Sequence, residues 1–270
     1  VDLLENPERL KSLIGRINYL RADIAEWAWD QDKHDKYDLI FHLAAAAMPA
    51  LVQKQPEPAF RDNVIGTENL LRLARRCAVK KFVFPSAGAL YTNVPKYLPI
   101  DEKHPIDPSQ SYYAATKRIG ELLCEAYQKN YGVPCIYFRL FNTFGPEQSD
   151  EYLIPSFIKE AAAGRDIVVF DETVKRDFNY VADIVGAFIK GVEADYQGGP
   201  INLGTGIEHS VGDIARKIAA YFSVKVSNLD KEVFGPKRAI CDNTLAKSVL
   251  GWQPTFSLDE GIKATVQSFK

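Results

Sequence analysis

Short apolar runs of strand type alternate with helical stretches through the first half of the chain, and that alternation leaves few folds open. Asp38-Leu39-Ile40-Phe41-His42-Leu43 is rich in branched and aromatic residues and passes straight into Ala44 to Ala47. A helical pattern follows from about Ala59 to Cys77, with Val64, Leu70, Leu71 and Ala74 on one face. Lys80-Lys81-Phe82-Val83-Phe84 is the next strand, then comes a helix carrying Tyr113, then the apolar run Val133 to Leu140. An earlier run, Ile17-Asn18-Tyr19-Leu20, is followed by a polar turn and a helical stretch. Strands spaced by crossover helices predict a parallel α/β sheet.

Beyond Gly145 the rhythm changes. Helices are expected over Tyr152 to Ala163, Val181 to Gly191, from Ser210 onward, and over Leu258 to Phe269. Short strands are expected over Asp166 to Phe170 and Ile201 to Leu203. No repeat, low-complexity tract or Pro/Gly-rich linker separates the halves. A smaller lobe is therefore expected to interleave with the sheet rather than hang from it.

Composition removes several function classes. A net charge of -2 over 270 residues lacks the basic surplus of a nucleic-acid binder. The densest basic cluster, Arg72, Arg75, Arg76, Lys80 and Lys81, reads as cations at a helix C-terminus. The longest apolar stretch, Leu39 to Val52, is broken by His42 and Pro49 and is too short to span a bilayer. No basic start or apolar run marks a signal peptide in the first residues. Cys77, Cys124, Cys135 and Cys241 have no paired-ligand spacing, so a reduced, cytoplasmic protein without a metal site is expected. His34, His42, His104 and His209 are likewise scattered.

The chemistry-bearing stretch is Ser111-Tyr112-Tyr113-Ala114-Ala115-Thr116-Lys117. Tyr113 and Lys117 lie about one helical turn apart, so phenol and ammonium share a face. A cation beside a phenol favours the phenolate and so tunes it for proton transfer. The spacing alone is weak: with 13 Tyr in the chain, about one such pair is expected by chance. A second pair, Tyr221 and Lys225, reads as the solvated end of a helix.

Many ordered stretches carry a resemblance. Arg21-Ala22-Asp23-Ile24, Phe41-His42-Leu43-Ala44-Ala45 and Asp62-Asn63-Val64-Ile65-Gly66-Thr67 come first. Asp101 to Pro105 with Pro108 and Ser111 to Lys117 follows, then Arg139-Leu140-Phe141-Asn142-Thr143-Phe144-Gly145-Pro146. Arg176-Asp177-Phe178-Asn179-Tyr180-Val181-Ala182-Asp183, Asn202 to Gly206 and Leu250 to Pro254 complete the set. Together they resemble the extended short-chain dehydrogenase/reductase family, specifically its NAD-dependent nucleotide-sugar epimerases, dehydratases and decarboxylases.

The resemblance implies a Rossmann-like doubly wound sheet with a smaller C-terminal substrate lobe. Residues 1–144 with about 178–204 would form the NAD-binding domain; 145–177 with 205–270 would form the nucleotide-sugar lobe. Tyr113, Lys117 and Ser86 are the expected catalytic residues. Asp2, Asp23, Ile24, Leu43, Ala44, Ala45, Asn63, Pro85, Tyr113, Lys117 and Leu140 would meet NAD. Ala87, Asn142, Leu153, Val168, Phe170, Arg176 and Arg238 would meet the nucleotide sugar, the two arginines at its diphosphate. An acid at Asp2 would favour NAD over NADP. By analogy, a homodimer would form through helices equivalent to Ala59–Cys77 and Tyr113–Tyr131.

Two departures matter as much as the matches. No glycine-rich G-x-x-G-x-x-G turn occurs, and Val1-Asp2-Leu3 resembles the end of the family's second strand. The chain thus reads as starting about 30 residues late, the size of a strand-turn-helix opening. Either a further segment precedes it or the protein lacks one. The second departure is Phe84-Pro85-Ser86-Ala87-Gly88-Ala89-Leu90-Tyr91. The family carries a Ser or Thr at the position of Ala87, and Ser86 is its substitute only if the loop shifts by one residue. Gly88 and Ala89 stand where dehydratases and decarboxylases carry a carboxylate. The reading is therefore an epimerase acting at the sugar C4, or a related oxidoreductase. The alternative is an impaired member that binds nucleotide sugar or serves as a partner subunit.

Overall fold

The computed structural model describes residues 1–3, 10, 13, 15–26, 36–231 and 235–269. Most of the helical stretch expected after Leu20, and His34 with it, lies outside them. The described chain divides into two compact units. One comprises Val1–Leu90, Asp107–Phe138 and Asp195–Pro200; the other comprises Tyr91–Ile106, Arg139–Ala194 and Ile201–Lys270.

The first unit is a parallel α/β arrangement. Its elements are β1 (Leu39–Phe41), α1 (Pro49–Lys54), α2 (Pro56–Phe60), a π-helical turn (Arg61–Ile65), α3 (Gly66–Cys77), β2 (Lys81–Ala87), α4 (Tyr112–Tyr131) and β3 (Cys135–Leu140). The strands lie in the order β1-β2-β3. β1 runs parallel to β2 with Leu39 opposite Lys81, Ile40 opposite Phe82 and Phe41 opposite Val83. β2 is buried almost throughout, as a central parallel strand is. Ile40, Phe82, Phe84 and Tyr137 pack against Leu70, Leu71 and Ala74 of α3 and Cys124 and Tyr127 of α4. Ser111 caps α4 by accepting from the Ala114 N–H, and Gly132 closes it in the left-handed region at φ 70°.

Two details differ from expectation. Ile17–Leu20 forms no strand among the described residues; next to it Asp2 bridges Arg21 in parallel. The expected helix from Ala59 to Cys77 is interrupted by the π turn over Arg61–Ile65, which carries Asn63. Such turns insert one extra residue and re-aim a side chain.

The second unit contains β4 (Asn142–Phe144), α5 (Leu153–Ala162), β5 (Ile167–Val169), β6 (Lys175–Tyr180), α6 (Val181–Glu193), β7 (Ile201–Leu203), β8 (Glu208–Ser210), α7 (Val211–Phe222), β9 (Val226–Asn228), β10 (Arg238–Ala239), α8 (Thr244–Leu250) and α9 (Leu258–Ser268). β6 is its organising strand, paired with β4 and β10 in parallel and with β8 antiparallel. β5 and β9 form a separate parallel pair. Ile154, Ile158, Phe178, Ile214, Ile218 and Ile262 are among the side chains of its core.

Two buried aspartates lock this unit's loops. Asp177 accepts from the Thr205 N–H and hydroxyl and from the Gly206 and Cys241 N–H groups. Asp183 accepts from the Thr255 N–H and hydroxyl and from the Phe256 N–H. Residues 91–106 also group here, because Tyr91 donates to Asn202 at 2.6 Å and Ile100 bridges Cys241. The units therefore follow different limits from the domains expected from sequence. Among the described residues no helix is long and apolar enough to cross a membrane.

Candidate active site

The first unit gathers the Tyr113 constellation at the start of α4 and the carboxyl end of β2. Lys117 is buried, and its ammonium donates to the Pro85 carbonyl at 2.9 Å. Its Nζ lies 6.0 Å from the centre of the Tyr113 ring and 5.1 Å from that of Phe84. Burial lowers the Lys117 pKa to about 8. Phe84 is approached so closely that a Cβ on Gly120 would come within 2.4 Å of its ring. Glycine at that helical position is what lets α4 sit on β2.

Asn63 ties this helix to the neighbouring loop. Its Nδ2 donates to Thr116 Oγ1 and to the Ala46 carbonyl, both at 3.0 Å, while its Oδ1 accepts from the Ala46 N–H at 2.8 Å. Thr116 in turn donates to the Tyr113 carbonyl at 2.9 Å. The asparagine thus holds the backbone that carries the tyrosine. Thr67 donates to the Asn63 carbonyl at 2.6 Å, so its oxygen must accept from His42 Nε2 at 2.8 Å. The His42 ring is neutral: burial and the Lys117 ammonium hold its pKa down to about 3.

Ser86 is engaged elsewhere. Its hydroxyl is buried and donates to Glu121 Oε1 at 2.6 Å; Glu121 Oε2 accepts from Arg118 at 2.9 Å. The serine hydroxyl is therefore spent on joining β2 to α4. Ala87, the last residue of β2, presents only a methyl and is buried. Glu121, Thr116 and Thr67 were not singled out from sequence. Glu121 stands four residues after Lys117, a spacing that could have drawn notice.

A cavity of about 680 Å³ opens in the same unit, lined among others by Asp2, Asp23, Ile24, Leu43, Ala44, Ala45 and His42. It thus collects six residues expected from sequence at the cofactor. Asp2 is held beside Arg21 by N–H and carbonyl bonds to Leu20 and Ala22. Asp23 accepts from the Ala25 N–H at 2.8 Å and pairs with Arg61. Asp62, also in the lining, has its carboxyl pushed up by burial and by Asp23. Carboxylates of this kind accept from ribose hydroxyls, so the lining fits the nucleoside part of a dinucleotide. It is a poor match for a pyrophosphate, whose oxygens need donors.

Apart from Ala87, the residues expected at the nucleotide sugar lie in the second unit. Arg176 on β6 is half-buried, which lowers its pKa, and donates to the Lys175 carbonyl at 2.9 Å. It has no carboxylate partner among the described residues. Arg238 differs: it grips Glu208 through two bonds of 2.9 and 2.7 Å, and Lys175 adds a third contact to Glu208 at 3.4 Å. Asn142 is exposed at the start of β4, and Leu153 opens α5. Val168 and Phe170 are among the most exposed apolar residues, at 46% and 54%. Leu140 ends β3, half-buried.

With this geometry in view, the comparisons with known proteins are specific. The sequence profile of the NAD dependent epimerase/dehydratase family matches residues 4–204. The chain belongs to that family. Among its relatives is the UDP-glucose 4-epimerase of Mycolicibacterium smegmatis, 34% identical over 87% of this chain and 77% of that protein. UDP-glucuronic acid decarboxylase 1 of Xenopus tropicalis is 33% identical over 86% of this chain, which spans only 57% of that enzyme. The UDP-glucuronic acid 4-epimerase of Bacillus cereus, solved with UDP-glucuronic acid and NAD, has a TM-score of 0.87. It is 27% identical, and the match covers 96% of this chain and 84% of that one. All three act on UDP-sugars by name, two as 4-epimerases.

Proposed function

We propose that this member of the NAD dependent epimerase/dehydratase family is a nucleotide-sugar 4-epimerase or a closely related oxidoreductase. The observation that carries the reading is the buried Lys117 ammonium, held by Pro85 one turn beyond Tyr113. Bound NAD supplies a reversible hydride acceptor. Tyr113 would take the proton from a sugar hydroxyl oxygen and later return it to that oxygen. Lys117 supports the phenolate. Asp2, Asp23, Ile24, Leu43, Ala44 and Ala45 hold the nucleoside part of the cofactor, and Asn63 fixes the Tyr113 backbone. Arg176 takes the substrate diphosphate, with Asn142, Leu153, Val168 and Phe170 around the nucleotide. The absence of a carboxylate at Gly88 and Ala89 disfavours dehydration and decarboxylation.

Ala87 supports a second reading, an impaired member that binds nucleotide sugar without turning it over. Removing one well-placed hydrogen bond to the reacting oxygen slows such chemistry by about 10²- to 10³-fold without abolishing it. Substituting Tyr113→Phe separates the two. Under the enzyme reading UDP-glucose epimerisation falls by about 10²- to 10⁴-fold, while NAD binding measured by calorimetry is retained. Sugar binding with no wild-type turnover would leave the binder. We also propose a cytoplasmic homodimer; all four cysteines are free.

A further inference from the structure

Strand alternation sorts the charged residues around β6 onto two faces, since residues opposite one another in register share a face. Lys175 lies opposite Ser210 of β8 and Arg238 of β10, and Asp177 lies opposite Glu208. On that face the cations are already satisfied, because Glu208 pairs with both Lys175 and Arg238. Arg176 lies opposite His209 of β8 and Ala239 of β10. This second face therefore carries a guanidinium and an imidazole side by side, with no carboxylate in register. Among the described residues this half-buried guanidinium donates only to a backbone carbonyl, an arrangement that favours an anion as its partner.

Among the described residues Asp213, four residues on in the first turn of α7, also lies near enough to sense His209. Its carboxyl is held low chiefly by Arg216, which donates to it at 2.9 Å, then by the Ser210 hydroxyl, with His209 a minor cause. Asp213 is thus already paired with Arg216, and among the described residues the His209 ring makes no hydrogen bond that would keep it from a ligand on the Arg176 face.

We propose that His209 is a substrate-binding residue that grips the diphosphate of the nucleotide sugar together with Arg176. The inference rests on the nucleotide-sugar reading above and adds a residue to it. Directly opposite residues stand about 4.5–5.5 Å apart at Cβ, so one diphosphate can bridge both. A protonated imidazole offers two N–H donors, and the guanidinium offers a fork. Because imidazoles titrate between about pH 5 and 8, the grip should tighten as pH falls. UDP-glucose is the suitable probe, since its diphosphate carries no group that titrates in that range.

The test is an NMR titration of ring-labelled histidine with and without UDP-glucose, beside calorimetry at two pH values. The His209 resonance, identified by its loss in His209→Gln, should stay protonated to higher pH when UDP-glucose is bound. Wild-type affinity should be about fivefold tighter near pH 6 than near pH 8, and His209→Gln should flatten that slope. If UDP-glucose binds but the His209 titration does not move, the His209 assignment fails while the nucleotide-sugar reading stands. If UDP-glucose does not bind the wild-type protein at either pH, both fail.

Discussion

Lys117 shows how a single residue can carry opposed demands. Burial disfavours its ammonium and brings the pKa to about 8, while its bond to the Pro85 carbonyl keeps the charge beside Tyr113. The sign follows directly: below that pH the ammonium is present and supports the phenolate, and above it the support is lost. kcat/KM is therefore expected to fall as pH rises through about 8. A pH–rate profile that stays level well beyond that value would sink the role. His42 cannot produce this limb, because it is neutral throughout the range. Ser86 makes the complementary point. Its hydroxyl looked available from sequence, but it donates to the buried Glu121 carboxylate. A side chain's neighbours across a sheet and helix are invisible to local spacing.

At the scale of elements, α4 joins the site to the fold. Lys117 reaches Pro85 and Glu121 reaches Ser86, so two helical residues one turn apart grip two consecutive residues of β2. Gly120 sits between them and makes room for Phe84. A Gly120→Ala change would gain about 1 kcal/mol of helix propensity, but its Cβ would meet the packed Phe84 ring at 2.4 Å. Phe84 is one of the most deeply buried side chains and has little room to yield. Overpacking of this kind costs about 1–3 kcal/mol, so a net loss of stability is expected in urea unfolding. A variant more stable than the wild type would show that α4 can shift on β2. A helix carrying Tyr113 was readable in advance; its cap at Ser111 and its close at Gly132 came from the structure. The π turn before α3 was not readable, because no residue type marks a single turn of wider hydrogen bonding over Arg61–Ile65.

For the whole molecule, apolar side chains are left exposed on α4 and just before α3. Leu122 on α4 is about half exposed, and Phe60 and Ile65 before α3 are partly so. Tyr131 lies on the opposite face of α4, with Arg75 over its ring at 4.1 Å. If a second copy covers these helices, native mass spectrometry should give twice the chain mass, and Leu122→Glu should give a monomer with NAD binding retained. A wild-type monomer at micromolar concentration would remove the dimer.

Sequence alone determined the parallel α/β class of the first unit, the α4 helix with Tyr113 and Lys117 on it, and the family. Each rests on local periodicity and ordered short motifs, which the chain writes within a few residues. Sequence also brought Asp177 and Asp183 to notice within a motif, yet only the folded chain makes them buried acceptors for distant loops. The tertiary structure alone decided that Arg238 belongs to Glu208, that Arg176 has no carboxylate partner among the described residues, and that His209 lies beside it. The reason is register. A shift of one residue in pairing exchanges the faces of a strand, and nothing in the sequence of β6, β8 or β10 states which residues stand opposite.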